Sequence, residues 1–486
     1  SEVIAHLIEE FFSHNENLEE SVRSALKLVK GTYGLAIVSA EEPDKIIAAR
    51  SGSPLVLGIG QNENFVASDV SAILNYTKRV IYLDDGEIAI ISGSDFTIKD
   101  LNNEPRKKEI QLIEWTIEES QKKGFPHFML KETFEQPESI ENSLRGRLIT
   151  EDGLAKLGGL ESVTEELRNI ERIIIVGCGT AAYAGRVGEY MLEEYAGIPV
   201  EVEIGSEFRY RKPILDPAVE AVIAVSQSGE TADTIGAMRE AKEKGVLALG
   251  IVNAVGSTIA RDTDAGVYVH AGPEIAVAST KAFTGQMIVF SLLTMLLGRQ
   301  RRMSQATGSR IAHELLALPA KVERILAQSD RIKALAKKYI HAQSMLILGR
   351  KYNAPVAYEG ALKIKELAYI HAEGYAAGEL KHGPIALLEP SFPVLAIATQ
   401  DSVYEKMKSN LEEAKARRAP LIVLTNEGNE ELVRIADDLI YVPRTIEMLS
   451  PILNVIPLQL FAYHLAVARG LDPDKPRNLA KSVTVE

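Results

Sequence analysis

Three residues in one short stretch combine the types and the spacing that proton transfer needs. Glu359, Lys363 and Glu366 stand at i, i+4 and i+7 within Ala-Tyr-Glu-Gly-Ala-Leu-Lys-Ile-Lys-Glu-Leu-Ala, residues 357–368. On a helix they share one face. A carboxylate, an amine and a second carboxylate in a row can move protons where water is kept away. The same row also suits a solvated stripe of salt bridges. Just downstream, His371, Glu379, Lys381 and His382 fall among Gly374, Gly378, Gly383 and Pro384. That spacing predicts a loop rich in ionisable groups, with the pair Lys381-His382 held in a turn.

A second constellation suits an anion. Ser226-Gln227-Ser228-Gly229-Glu230-Thr231-Ala232-Asp233-Thr234 places four hydroxyls in nine residues. At a helix start, such hydroxyls and the backbone N–H groups can cradle a phosphate. An ordinary helix cap needs only one of them. Gly177-Cys178-Gly179-Thr180 follows an apolar run and suits a tight turn at a sheet edge, but it is weak as a dinucleotide motif. Cys178 reads as a small packed residue. Val277-Ala278-Ser279-Thr280-Lys281 is either a helix start or a further hydroxyl contact. His371, Glu373 and His382 match no common metal-ligand spacing, so no metal is expected there. The end, Leu479-Ala480-Lys481-Ser482-Val483-Thr484-Val485-Glu486, is apolar for a chain end. It suits a tail tucked into the protein, where a desolvated lysine forms a Schiff base more readily; a terminal lysine is otherwise solvated.

The elements that must position these groups follow from periodicity. Apolar residues at helical spacing place Glu359–Glu366 on a helix. From about residue 160, strand, loop and helix alternate, which predicts a parallel α/β sheet. The pattern also repeats. Arg172–Gly177 recurs as Met345–Arg350, Val222–Val225 as Val394–Ile397, Glu240-Ala241-Lys242 as Glu413-Ala414-Lys415 and Asn253 as Asn426. The constant offset implies a tandem duplication of one domain. The copies differ at the hydroxyl loop, where the second half reads Thr399-Gln400-Asp401-Ser402. An Asp there repels phosphate, so one phosphate site per chain is expected, in the first half.

The first 112 residues differ in kind. Two amphipathic helices precede short strands at Tyr33–Val38, Lys45–Ala49, Pro54–Gly58, Asn64–Ala67, Arg79–Leu83 and Glu87–Ile91. Ser1 reads as a helix cap rather than an N-terminal nucleophile. Residues 113–150, with the sole Trp at 115, have a linker's composition, although helical patterns resume near Met129 and Ser139. The expected domains are 1–112, a linker 113–150, repeats 151–325 and 326–470, and a tail 471–486.

The 486 residues are 46% hydrophobic and 25% charged, with a net charge of −13 and a pI near 5.4. That balance argues against nucleic-acid and anionic-membrane surfaces. The longest apolar run, Met287–Leu297, reads as a buried helix too short to span a bilayer. The single cysteine excludes a disulfide framework, and the simplest compartment is the cytoplasm.

Taken together, Ser-Gln-Ser-Gly-Glu-Thr (226–231), Ala-Ser-Thr-Lys-Ala-Phe (278–283), Glu-Gly-Ala-Leu-Lys-Ile-Lys-Glu (359–366), Glu-Leu-Lys-His-Gly-Pro (379–384) and the Leu-Ala-Lys-Ser-Val-Thr-Val-Glu ending resemble the glucosamine-6-phosphate synthase family, the isomerizing glutamine–fructose-6-phosphate aminotransferases. The resemblance implies two sugar-isomerase (SIS) domains of doubly wound, flavodoxin-like topology, preceded by part of an N-terminal-nucleophile glutaminase domain. It implies that the glutaminase cysteine and most of the glutamine pocket precede the stretch that opens here, leaving half of a two-sheet sandwich with exposed core surface. It further implies fructose 6-phosphate and glutamine-derived ammonia as substrates, a homodimer, and no cofactor. Thr180, Ser226, Gln227, Ser228 and Thr231 would hold the phosphate. Val277, Ser279 and Ala480 would line the sugar pocket. His382 would open the ring in the partner's site, and Lys481 would form the Schiff base. Glu366 would shuttle the proton between C1 and C2, with Lys363 and Glu359 beside it. The alternatives are another SIS isomerase or deglycase, and a non-catalytic SIS sensor of sugar phosphates.

Overall fold

The periodicities resolve into two units in the computed structural model, which describes residues 2–68, 70–113 and 122–483. One unit comprises residues 1–121 with 483–486, the other residues 122–482. Ser1, Trp115 and residues 484–486 lie outside the described residues.

In the first unit, helices Glu2–Asn15 and Leu18–Leu26 precede two four-stranded antiparallel sheets. Asn17 caps the second helix by accepting the Glu20 N–H (3.0 Å). Ala48, Ala89, Ile91 and Ile98 from one sheet and Leu57, Ile59 and Ile81 from the other form one core, so the sheets pack face to face. Val22, Ala25 and Leu26 cover the opposite face of the first sheet against Ile47, Ala49 and Ile88. Two sheets stand where half a sandwich is expected, because neighbouring segments pair with one another within this stretch. All six expected strands form. Asp95–Asp100 and Gln111–Leu112 are additional; Asp95–Asp100 is a polar edge strand against Glu87–Ser92 and carries little apolar signal.

The second unit holds two five-stranded parallel sheets of identical topology. Their orders are Val200–Ile204, Arg172–Gly177, Glu220–Ser226, Leu247–Val252, Ala265–Tyr268, and His371–Ala376, Ser344–Gly349, Val394–Ile397, Leu421–Asn426, Asp438–Val442. Each reads 2-1-3-4-5 in chain order. Helices Thr180–Met191, Ala232–Glu243 and Lys281–Arg299 of the first copy answer to Asn353–Ala368, Tyr404–Ala416 and Ser450–Ala468 of the second. A single apolar core runs through both copies, from Ile173 and Ile223 to Ile347 and Leu395. The all-apolar strands are explained by helices on both faces.

Four expectations change. His371–Ala376 is an edge strand rather than loop. It crosses so close to helix Asn353–Ala368 that a Cβ on Gly374 would lie 2.6 Å from Tyr358 Cα. The loop proper is two 3₁₀ turns, Ala377–His382 and Pro384–Leu387. From residue 128, the expected linker is helical. Phe128–Phe134 and Gln136–Leu144 bury Met129 and Ile140 in the shared core, and the Asp474 carboxylate caps the first of them at Phe128 N (2.8 Å) and Met129 N (2.9 Å). The apolar run around Met287 extends to a 19-residue helix, Lys281–Arg299. With the segment Glu447–Ala468, it is long and apolar enough to cross a membrane, yet 94% and 89% of the respective apolar windows are buried inside the fold. The tail is not tucked in throughout: Leu479 is 47% and Val483 56% exposed.

Candidate functional site

In a 2-1-3-4-5 sheet, ligands bind where the connections after the first and third strands part. In the first copy these are the turns after Arg172–Gly177 and Glu220–Ser226, which carry Thr180 and Ser226–Thr231. Ser226 Oγ accepts the Gly229 N–H (3.0 Å) and lies 3.1 Å from Thr231 Oγ1, while Ser228 Oγ accepts the Glu230 N–H (3.2 Å). Gly229 has φ +67°, and a Cβ there would lie 2.0 Å from Ser257 Oγ, so the turn needs glycine. Glu230 clamps the next turn by accepting from Thr258 N and Thr258 Oγ1 (both 2.8 Å). Helix Ala232–Glu243 has no side-chain cap, nor has Thr180–Met191. Their first N–H groups therefore face the same sheet edge available to an anion. In the second copy, Asp401 occupies the corresponding turn and bonds inward, to Val403 N (2.9 Å) and Asn353 Nδ2 (3.2 Å). Burial raises its pKa.

The carboxylate–amine row sits on helix Asn353–Ala368 and is buried, which removes the reading as a solvated stripe. Glu359 and Lys363 are fully enclosed and Glu366 is partly open. Lys363 Nζ lies 2.7 Å from Glu366 Oε2 and 3.3 Å from Glu359 Oε1. It also donates to Thr180 Oγ1 (3.2 Å), which itself donates to Glu359 Oε1 (3.2 Å). Thr180 thereby joins the first copy's sheet edge to the second copy's acid–base row. Burial pushes Glu359 up to about 7, against the pull of Lys363. Burial alone would lower the Lys363 pKa, but the two carboxylates outweigh it and hold the amine charged. Glu359 Oε2 has no hydrogen-bond partner among the described residues. Cys178 is half-buried, its Sγ 3.6 Å from Thr234 Oγ1, and burial raises the thiol.

The tail reaches the same region. Arg477 N donates to Tyr369 Oη (2.7 Å) at the end of helix Asn353–Ala368, and Val277 N donates to the Asp474 carbonyl (3.3 Å). Lys481 then meets Glu274, Nζ to Oε2 2.7 Å. Its amine is salt-bridged, not merely desolvated. The same Oε2 accepts from Ser279 Oγ (3.0 Å). Ser279 and Lys481 thus share one carboxylate, with Ala480 exposed next to Lys481 and Val277 held by the tail at Asp474. His382 stands apart, exposed, without a hydrogen bond or ion pair among the described residues, and Lys381 pairs with Glu413 (2.7 Å). Sequence reasoning missed Glu274 and Glu132. Their signal is faint: Glu274 is an acidic residue a few positions before a helix start, and Glu132 lies in the expected linker.

Comparison with known proteins decides the family. The SIS domain family matches residues 166–296 and 338–469. The glutamine–fructose-6-phosphate aminotransferase (isomerizing) of Chlorobaculum tepidum is 50% identical over 488 residues, covering all of this chain and 79% of that protein. The chain belongs to the isomerizing glutamine–fructose-6-phosphate aminotransferase family. Other family members, from Thermus thermophilus and Thermococcus kodakarensis, are each 48% identical over all of this chain and 79% of their own length. Among solved structures, the C-terminal domain of the Francisella tularensis glucosamine–fructose-6-phosphate aminotransferase superposes with TM-score 0.70 at 35% identity, over 73% of this chain and 100% of that one. A glucosamine-6-phosphate deaminase from Thermotoga maritima shares the fold, with TM-score 0.55 at 21% identity over 73% of this chain and 99% of that one. The two matched SIS domains coincide with the tandem α/β duplication read from the repeat.

Proposed function

We propose that this chain carries the sugar half of the family's reaction: it isomerises fructose 6-phosphate and aminates it with ammonia, which the family draws from glutamine, giving glucosamine 6-phosphate. One observation carries the sugar half of this reading. Lys363, locked between two carboxylates of the second copy, also bonds Thr180 beside the first copy's anion turn. An acid–base row and a phosphate cradle thus meet at one sheet edge.

In this reading the phosphate rests on Ser226, Gln227, Ser228 and Thr231 with Thr180 nearby, and the uncapped helix starts favour its charge. Val277, Ser279 and Ala480 line the sugar chain. Lys481 attacks the C2 carbonyl, whose oxygen leaves as water, and ammonia then displaces the lysine from C2, so that the nitrogen left on the sugar is ammonia's. Glu366, the partly open member of the row, takes the C1 proton and returns it at C2. The Lys363 ammonium steadies the charge that develops, and Glu359 buffers Lys363 from behind. His382 protonates the ring oxygen in the site of a second subunit; its exposure leaves it available there. We place the homodimer in the cytoplasm, in keeping with the single cysteine and the burial of both long apolar helices.

The test is direct. Purified protein is incubated with fructose 6-phosphate alone and with fructose 6-phosphate plus ammonium, and products are read by NMR. An aldose phosphate in the first mixture and glucosamine 6-phosphate in the second are expected. A protein that binds fructose 6-phosphate and converts it in neither mixture would be a sensor, and the proposal would fall.

A further inference from the structure

Behind Lys481 lies a buried acidic site. Glu274 is fully enclosed, while the Lys481 side chain is 23% exposed. Glu274 Oε1 accepts from Thr280 N (2.8 Å) and Ala282 N (3.1 Å), and Oε2 accepts from Ser279 Oγ and Lys481 Nζ. Four donors therefore fix one carboxylate, and three of them belong to the turn that opens helix Lys281–Arg299. Glu132, on helix Phe128–Phe134, packs beside it. Its Oε1 accepts from Ile275 N (2.5 Å) and Ala276 N (3.2 Å), and its buried Oε2 has no partner among the described residues. The other charges nearby are Lys281 and, beyond it, Glu135 and Lys131, which satisfy one another: Lys281–Glu135 is 2.9 Å and Lys131–Glu135 3.1 Å.

We infer that Glu274 is the counter-ion of the protonated imine that Lys481 forms with the sugar carbonyl, and that it holds the amine in place for that step. This rests on Lys481 being the imine-forming lysine. The balance of the reaction supports it. An ammonium and a ketone give an iminium and water: the C2–N bond forms, the C2–O bonds break, and the oxygen leaves with two of the nitrogen's hydrogens. Nitrogen carries one positive charge before and after. A single fixed, buried anion can therefore neutralise both states without rearrangement, as a preorganised site requires. Two further features suit the role. Glu274 is held at about 2 against its own burial, chiefly by Lys481, so it stays ionised. Glu132 is pushed up to about 8 by burial and by Glu274, so at neutral pH its proton leaves Glu274 as the local anion. Ser279 shares the oxygen that holds Lys481, so it can turn to a sugar hydroxyl without stranding the carboxylate.

The test is imine trapping with cyanoborohydride, which reduces the protonated imine, on the whole protein with fructose 6-phosphate across pH 6–10. In the wild type, peptide mapping should find the adduct on Lys481. Glu274→Gln keeps an acceptor oxygen for Thr280 N and Ala282 N, removes the charge, and puts an amide NH2 where Oε2 accepts from Ser279 and Lys481. An opposite charge this close is worth about one to three pKa units, so the alkaline limb of the trapping curve should move down by about that much, with about tenfold less adduct at its upper end. Fructose 6-phosphate affinity should change less than about threefold, since Glu274 makes no phosphate contact. If Glu274→Gln fails to bind fructose 6-phosphate, the same curve is read on Glu274→Asp, whose limb should move in the same direction. An adduct on Lys481 with an unmoved alkaline limb in the variant that binds sugar overturns the counter-ion role. A wild-type protein that traps nothing on Lys481 overturns the lysine assignment beneath it.

Discussion

Lys363 and Thr180, 183 positions apart in the chain, are joined by a 3.2 Å hydrogen bond from Nζ to Oγ1. The bond ties the helix that bears the acid–base row to the turn that follows the first strand of the other copy. In the proposed reading it makes the two repeats one site rather than two, and it sets which residues should separate binding from chemistry.

Glu366 should carry chemistry and not binding. Glu366→Gln keeps the side chain's size and a hydrogen-bond acceptor for Lys363 but cannot take a proton. Isomerisation of fructose 6-phosphate should fall by about a hundredfold or more, with KM changed less than about threefold. Steady-state kinetics against fructose 6-phosphate read both numbers. An active Glu366→Gln enzyme would remove the proton-shuttle assignment.

The cradle should behave in the opposite way. Thr231→Ala removes a hydroxyl that lies 3.1 Å from Ser226 Oγ. A hydrogen bond to a charged group is worth about 1.5–3 kcal/mol, so affinity for fructose 6-phosphate and for inorganic phosphate should weaken by about ten- to a hundredfold. Thr399→Ala, at the matching turn of the second copy, should leave both affinities unchanged. Calorimetric titration of the two variants distinguishes one phosphate site from two.

If His382 serves the neighbouring subunit, defects in different subunits should complement. His382→Ala and Lys481→Ala proteins are each expected to be inactive. After unfolding, mixing and refolding in equal amounts, half of the dimers are mixed, and each of these contains one intact site. About a quarter of wild-type activity should return. No recovery in mixed dimers would place His382 in its own subunit's site or outside the chemistry.

His464 offers a test of the fold that is independent of catalysis. It lies buried on helix Ser450–Ala468, with Nε2 2.9 Å from Ser329 Oγ. Burial, and then Lys333, depress its pKa from 6.5 to about 4. A base whose folded pKa is depressed binds its proton more readily in the unfolded chain. Its contribution is therefore present above about pH 6.5 and lost as pH falls towards 4. Because the raised carboxylates Glu132 and Glu359 gain stability over the same window, the test is the difference between two proteins. His464→Gln, which cannot titrate, should have a Tm a few degrees below wild type at neutral pH, and that gap should narrow as pH falls from 6.5 to 4. A gap that stays constant over that range would contradict the buried neutral imidazole.

What the sequence determined on its own was whatever depends on short-range pattern. The parallel α/β class follows from apolar strands alternating with helices, and the duplication from a constant offset, because strand and helix periods are local properties of the chain; the strand order 2-1-3-4-5 is set by which strands pair. The row Glu359, Lys363, Glu366 and the turn Ser226–Thr231 were legible for the same reason: their members share one helix face or one turn. Tertiary structure decided everything that depends on which distant segments touch. Burial of the row, and with it the raised pKa of Glu359, comes from packing one repeat against the other. The edge strand His371–Ala376 exists because Gly374 lets it cross the helix closely, and the helices at 128–144 become core because Met129 and Ile140 pack into the core the two repeats share. Lys481 gains its place from Glu274, 207 residues earlier. No periodicity encodes that pair, since an ion pair between remote segments is fixed by the folded backbone and leaves no spacing in the sequence to read.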